Sequence, residues 1–121
     1  MKGNLIIHCS MFVLFSASCS NTSPSDLSDS VPLPATVSYA QNVKPIIDAN
    51  CISCHSSIPT NGAPNSLTDY AAVKQSILSS GLIIRINKQP GDLLLMPQGG
   101  PKLPQNKIDI IELWQMQGFN Q

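Results

Sequence analysis

Apolar positions along the chain fall into three clusters at helical spacing, separated by polar, turn-rich stretches. Tyr39, Val43, Ile46 and Ile47 form one stripe and predict a helix from about Ser38 to Asn50. Pro45 lies inside that stripe and removes a backbone donor, so the helix is expected to be short and kinked. Tyr70, Val73 and Ile77 mark the face of a second helix. Ser66 or Thr68 is its expected cap, since Ser66-Leu-Thr-Asp69 resembles a capping box, and Gly81 is its stop. Ile110, Ile111, Leu113 and Trp114 predict a last helix from about Gln105 to Gln117, with Gly118 past its end. Between these, Leu82 to Pro104 is punctuated by Pro90-Gly91, Gly99-Gly100-Pro101 and Pro104 and is expected to be irregular. No stretch alternates with period two, and no internal repeat is visible. The pattern predicts an all-α domain of three to four short helices joined by long loops. Loops of that length in so small a domain call for something to organise them.

The segment before the first stripe has a different character. Residues 1–18 read as an export signal, with Lys2, an apolar stretch from Leu5 to Phe15 and the small residues Ser16, Ala17 and Ser18. The stretch is shorter than the roughly 20 residues that cross a bilayer as a helix. A buried helix of the mature fold is the structural alternative. Ala17-Ser18-Cys19 resembles a bacterial lipobox, which implies lipidation of Cys19 as the mature N-terminus, although Ser16 stands where lipoproteins prefer Leu. The other reading is ordinary signal-peptidase cleavage and a soluble periplasmic product. Residues 19–37, rich in Ser, Pro and Asp, cannot bury enough apolar surface to offset their conformational entropy and read as a flexible tether. The folded domain is then expected over 38–121. By resemblance to lipoproteins, Ser20 after the cysteine implies the outer membrane.

Composition narrows the partners. The 121 residues suffice for one domain. Seven Lys/Arg balance seven Asp/Glu with no basic run, which argues against nucleic acid and leaves little long-range steering. One Trp, two Tyr and three Phe are few for a core of this size, so a bound group completing the interior would be in keeping.

The candidate chemistry sits in Cys51-Ile-Ser-Cys54-His55, the C-x-x-C-H attachment signature of c-type haem. Residues three apart on one helical turn project the same way, so two thiols there can add to the two vinyl groups on one side of a porphyrin. His55 follows directly, placed to offer a ring nitrogen to the iron. Three other readings exist. A zinc site needs four ligands, and after loss of the leader only these two Cys and one His remain. A redox dithiol calls for a βαβ context, which the pattern lacks. A plain disulfide leaves the adjacent His unexplained.

With this motif, the chain from about Ser38 to Gly118 resembles the class I cytochrome c family. The resemblance implies a small class I cytochrome c-like fold around one covalently bound haem c. Its first helix leads into the motif, and its last helix packs across the first, so that Val43, Ile46 and Ile47 meet Ile110, Ile111 and Trp114. It implies iron ligation by His55 and by Met96, which stands in Leu93-Leu-Leu-Met96-Pro97 ahead of the last helix. His8 leaves with the leader, and Met116 lies within the last helix. The family uses a proline carbonyl to accept the proximal His N–H, and Gly62-Ala63-Pro64-Asn65 resembles that segment, with Pro59 a rival. Ile58, Leu67, Ile84, Ile86, Leu94 and Leu95 are candidates for the pocket wall. Arg85 is either a propionate partner or a solvated cation. The implied function is periplasmic electron transfer rather than enzymatic catalysis, with an oxidase, a dehydrogenase or another cytochrome as redox partner. The alternative is a haem-based sensor or peroxidase-like protein with a displaceable distal ligand.

Overall fold

The computed structural model of the chain describes residues 32–121. The expected export signal, Cys19 and the first part of the expected tether lie outside the described residues. Among the described residues there are four α-helices and no strand: α1 (Lys44–Asn50), α2 (Tyr70–Ser79), α3 (Leu82–Ile86) and α4 (Gln105–Met116). The all-α expectation holds at this level.

Helix α1 is entered through a wide π-helical turn, Tyr39–Val43. Ser38 starts it, its hydroxyl accepting from Gln41 N at 3.2 Å while its own N–H donates to Asn42 Oδ1 at 2.9 Å. The next bonds reach back five residues, from Val43 N to Ser38 O and from Lys44 N to Tyr39 O. That wide register places Pro45 in the first turn of α1, where a missing N–H leaves nothing unsatisfied. The expected kink is thus a change of register rather than a break.

Asp69, not Ser66 or Thr68, caps α2: its Oδ1 accepts from Ala72 N at 2.9 Å. The Ser66 and Thr68 hydroxyls bond to each other instead, at 3.0 Å, and so are not aimed at the orphan donors of the helix. Gly81, in the left-handed region at φ 70°, ends this helix and begins α3. Helix α3 falls inside the stretch expected to be irregular. Its five residues are too few for a hydrophobic period to show, and its two buried side chains, Leu82 and Ile86, are one turn apart.

Helix α4 buries Ile108, Ile111 and Trp114, while Ile110 and Leu113 are only half-buried. It ends in a Schellman motif, with Phe119 N donating to Trp114 O, Gly118 N to Gln115 O, and Gly118 at φ 84°. Trp114 is fully buried, with Tyr39, Tyr70 and Phe119 around it at ring-centroid distances of 5.6, 5.7 and 4.9 Å. Aromatic pairs of this kind contribute roughly 0.5–1.5 kcal/mol each beyond their burial. Val43, Ile46, Ile47, Ile108, Ile111 and Trp114 share one core, and the Tyr39–Val43 turn packs directly on α4.

The folded domain begins earlier than residue 38. Val37 is fully buried, its N–H donates to Gln117 Oε1 at 2.8 Å, and Gln117 Nε2 returns a bond to Ala35 O at 2.9 Å. The end of the expected tether is therefore part of the domain, because the side chains beyond α4 supply the backbone partners that a solvated linker would take from water.

Asp69→Ala should lower stability by about 1 kcal/mol, as loss of an N-cap does. Thr68→Ala should leave the denaturant midpoint nearly unchanged. Equal effects in urea unfolding would place the cap elsewhere.

Candidate functional site

The C-x-x-C-H segment begins where α1 stops. Cys51 N bonds Ile47 O at 2.8 Å, and Cys54 N and His55 N both donate to Cys51 O, at 3.2 and 2.9 Å. The motif is therefore a tight turn appended to the helix rather than a helical turn of α1 itself. Both thiols are free and partly exposed. Their surroundings differ. Burial pushes the Cys51 thiol up to about 11. The Cys54 sulfur instead receives Asn61 Nδ2 at 3.5 Å and Ser53 Oγ at 3.9 Å. Asn61 is delivered by a tight turn: Ala63 N donates to Thr60 O at 2.9 Å, and Asn61 and Gly62 stand at φ 52° and 77°. Asn-Gly is the dipeptide this turn type demands, so the signal for it was present in the chain.

The His55 ring is held by one bond, Nδ1 to the Asn65 carbonyl at 2.7 Å. A carbonyl oxygen can only accept, so Nδ1 carries a proton, and in the neutral ring Nε2 keeps a free lone pair. The acceptor is Asn65 rather than Pro64 or Pro59. The backbone bond from Leu67 N to His55 O at 2.9 Å pins the returning loop and brings the carbonyl two residues earlier within reach of the ring.

Met96 arrives on the loop that follows α3, which is built by local bonds. Asp92 N donates to Gln89 O and Leu95 N to Asp92 O, each at 3.0 Å. The Asp92 carboxylate accepts Leu94 N at 2.8 Å and pairs with Lys88 at 3.2 Å. Met96 N then bonds Arg85 O at 3.2 Å, fastening the loop to α3, and its side chain packs against the core. Met116, by contrast, is 75% exposed.

Cys51, Cys54, His55 and Met96 all line one cavity of about 530 Å³, within the size range of small-molecule and cofactor sites. Leu67, Leu82 and Ile86 are the buried apolar residues of its wall, while Leu93 and Leu94 line it from the solvent side. Three expected wall residues are not there: Ile58 and Ile84 are 79% and 66% exposed, and Leu95 is buried outside the lining. Ile84 lies midway between the buried Leu82 and Ile86 of α3, on the outer side of the helix. Arg85 lines the cavity and forms no ion pair among the described residues. Asn61, Asn65 and Ser76 were not singled out by pattern, because their contribution is a hydrogen bond to a residue distant in sequence.

A scan of family models, a search of curated proteins and a search of solved structures each found no match to this chain. Fold and site together define, for the described residues, an all-α domain with a cavity that gathers two thiols, an imidazole and a thioether. Among the described residues, no helix is long and apolar enough to cross a membrane.

The backbone N–H of Leu94, and then Lys88, hold the Asp92 carboxyl below its ordinary pKa. The unfolded chain therefore binds more protons here, so the contribution to the loop is full above the usual carboxylate range and fades as pH falls through the lowered value. The Leu94 amide resonance should titrate with a midpoint below the ordinary Asp value, and Asp92→Asn should abolish that titration. A midpoint at or above the ordinary value would refute this account of the loop.

Proposed function

We propose that the chain is a one-haem c-type electron carrier of class I cytochrome c type. Cys51 and Cys54 are its attachment thiols, and His55 and Met96 its axial ligands. The observation that carries this reading is the convergence of the four residues on one cavity, with His55 Nδ1 engaged and Nε2 free. The residues present fit the group. Each thiol can form a thioether by adding across a vinyl double bond, which neither consumes nor releases electrons. Imidazole nitrogen and thioether sulfur are the donor pair of carrier cytochromes, and the sulfur favours ferrous iron. The haem supplies the one-electron Fe(III)/Fe(II) couple.

The chain's own residues do the rest. The Asn65 carbonyl fixes the tautomer and orientation of His55. Leu67, Leu82 and Ile86 keep the interior dry, and Arg85 supplies a cation for a propionate. With His55 and Met96 holding the iron, the haem would supply outer-sphere electron transfer rather than enzymatic catalysis. Among the described residues His55 is the only histidine, so no second histidine is there to serve as a peroxidase-like distal acid or base. After the leader, six Lys/Arg face seven Asp/Glu, in keeping with brief, weakly steered encounters with an oxidase, a dehydrogenase or another cytochrome of the periplasm.

Intact-mass measurement of the periplasmic protein should show one covalently added haem, and the ferric spectrum should be low-spin with the thioether-to-iron band at its red edge. Met96→Ala should keep the haem and lower the reduction potential. An unchanged potential would remove Met96 from the ligand set. A high-spin ferrous form that binds carbon monoxide rapidly would favour the sensor or peroxidase reading.

The proposal includes an outer-membrane lipid anchor at Cys19, supported by Ala17-Ser18-Cys19 and the polar residues that follow. Cys19→Ala should release the protein from the membrane fraction. Continued tight association would show that the lipid is not its sole attachment.

A further inference from the structure

Ser76, on α2, is the buried polar side chain of the described core, 5% exposed. It is far in sequence from the residues of the motif, yet it belongs to the same cavity lining as His55 and Asn65. Asn65 Nδ2 donates to Ser76 Oγ at 3.2 Å. The backbone carbonyl of that same Asn65 accepts the His55 Nδ1 proton at 2.7 Å. One residue thus grips the imidazole with its main chain and a helix with its side chain.

This matters because Asn65 lies in an irregular loop, between Pro64 and Ser66. The loop's other tie near this point is the bond from Leu67 N to His55 O, which fixes distance but not the direction in which the Asn65 peptide faces. A carbonyl free to swing would exchange the ring for water. Anchoring the side chain of the same residue to a helix removes that freedom, since α2 is itself held in place by Val73 and Ile77 in the core. The 2.7 Å separation is at the short end for an N–H donor. A carbonyl held there draws the Nδ1 proton toward itself and makes Nε2 a stronger electron donor.

We propose that Ser76 is a positioning residue: through the Asn65 side chain it holds the Asn65 carbonyl on His55 and thereby fixes the orientation and the Nδ1–H tautomer of the ring facing the cavity. The consequence for redox chemistry rests on the reading of His55 as an iron ligand. The hold on the ring does not. A firmly bonded Nδ1–H strengthens donation from Nε2 and would favour ferric iron, so loosening the relay would raise the potential.

The test uses the holoprotein and three variants: Ser76→Ala, Asn65→Ala and the double variant. Asn65→Ala keeps the carbonyl and deletes only the amide, at a half-buried loop position that tolerates truncation better than the helix. Solvent exchange of the His55 Nδ1–H, followed by NMR, should quicken roughly fivefold in either single variant, the effect of losing one neutral hydrogen bond. The reduction potential should rise in both, and the double variant should match the singles, since one relay can be cut only once. Unchanged exchange in Asn65→Ala would overturn the proposal. So would effects of the two substitutions that simply add. If intact mass shows no covalent haem, the carrier reading fails, yet the exchange rate still reports whether Ser76 holds the ring.

Discussion

Trp114 and the carbonyl of Asn120 make the junction on which the rest of the structure depends. The indole N–H donates to Asn120 O at 2.6 Å, and the same oxygen accepts Tyr39 N at 2.9 Å. A single acceptor just beyond the last helix therefore locks the start of the first helical segment against the end of α4. Tyr70 joins from α2 through its hydroxyl to Phe119 O at 2.8 Å. The chain end can reach all three because the Schellman turn at Gly118 folds it back over the indole.

This junction fills one side of the domain and leaves the other to loops. The segments 51–69 and 87–104 have no regular structure and meet around the cavity. Each is fastened by a handful of backbone bonds to its own end of a helix, Cys51 N to α1 and Met96 N to α3. A domain this small has little core to spare, and a large flat cofactor between the two loops would supply the missing interior. Among the described residues the aromatic side chains, Tyr39, Tyr70 and Phe119, gather around Trp114.

The two faces of the cavity differ in how firmly they are built. The His55 side carries a chain of bonds that ends on a buried helix residue. The Met96 side hangs on Asp92, whose carboxylate is exposed to the pH and salt of its surroundings.

The chain alone determined the all-α class, the stripes through Val43, Ile47, Ile111 and Trp114, the stops at Gly81 and Gly118, and the local chemistry of Cys51 to His55. Those features are encoded in residues one to four positions apart, and spacing reports them directly. Only the tertiary structure decided that Asn65 rather than a proline carbonyl reaches His55, and that Asp69 rather than Thr68 caps α2. It also decided that Val37 is core, that the five residues of α3 form a helix, and that Ile58 and Ile84 face water. Apart from the cap, whose bond spans three residues, the outcome depends on which distant group stands opposite. An acceptor is chosen by the register of a loop, and a side chain is buried by the helix that happens to cover it. Periodicity carries no record of either.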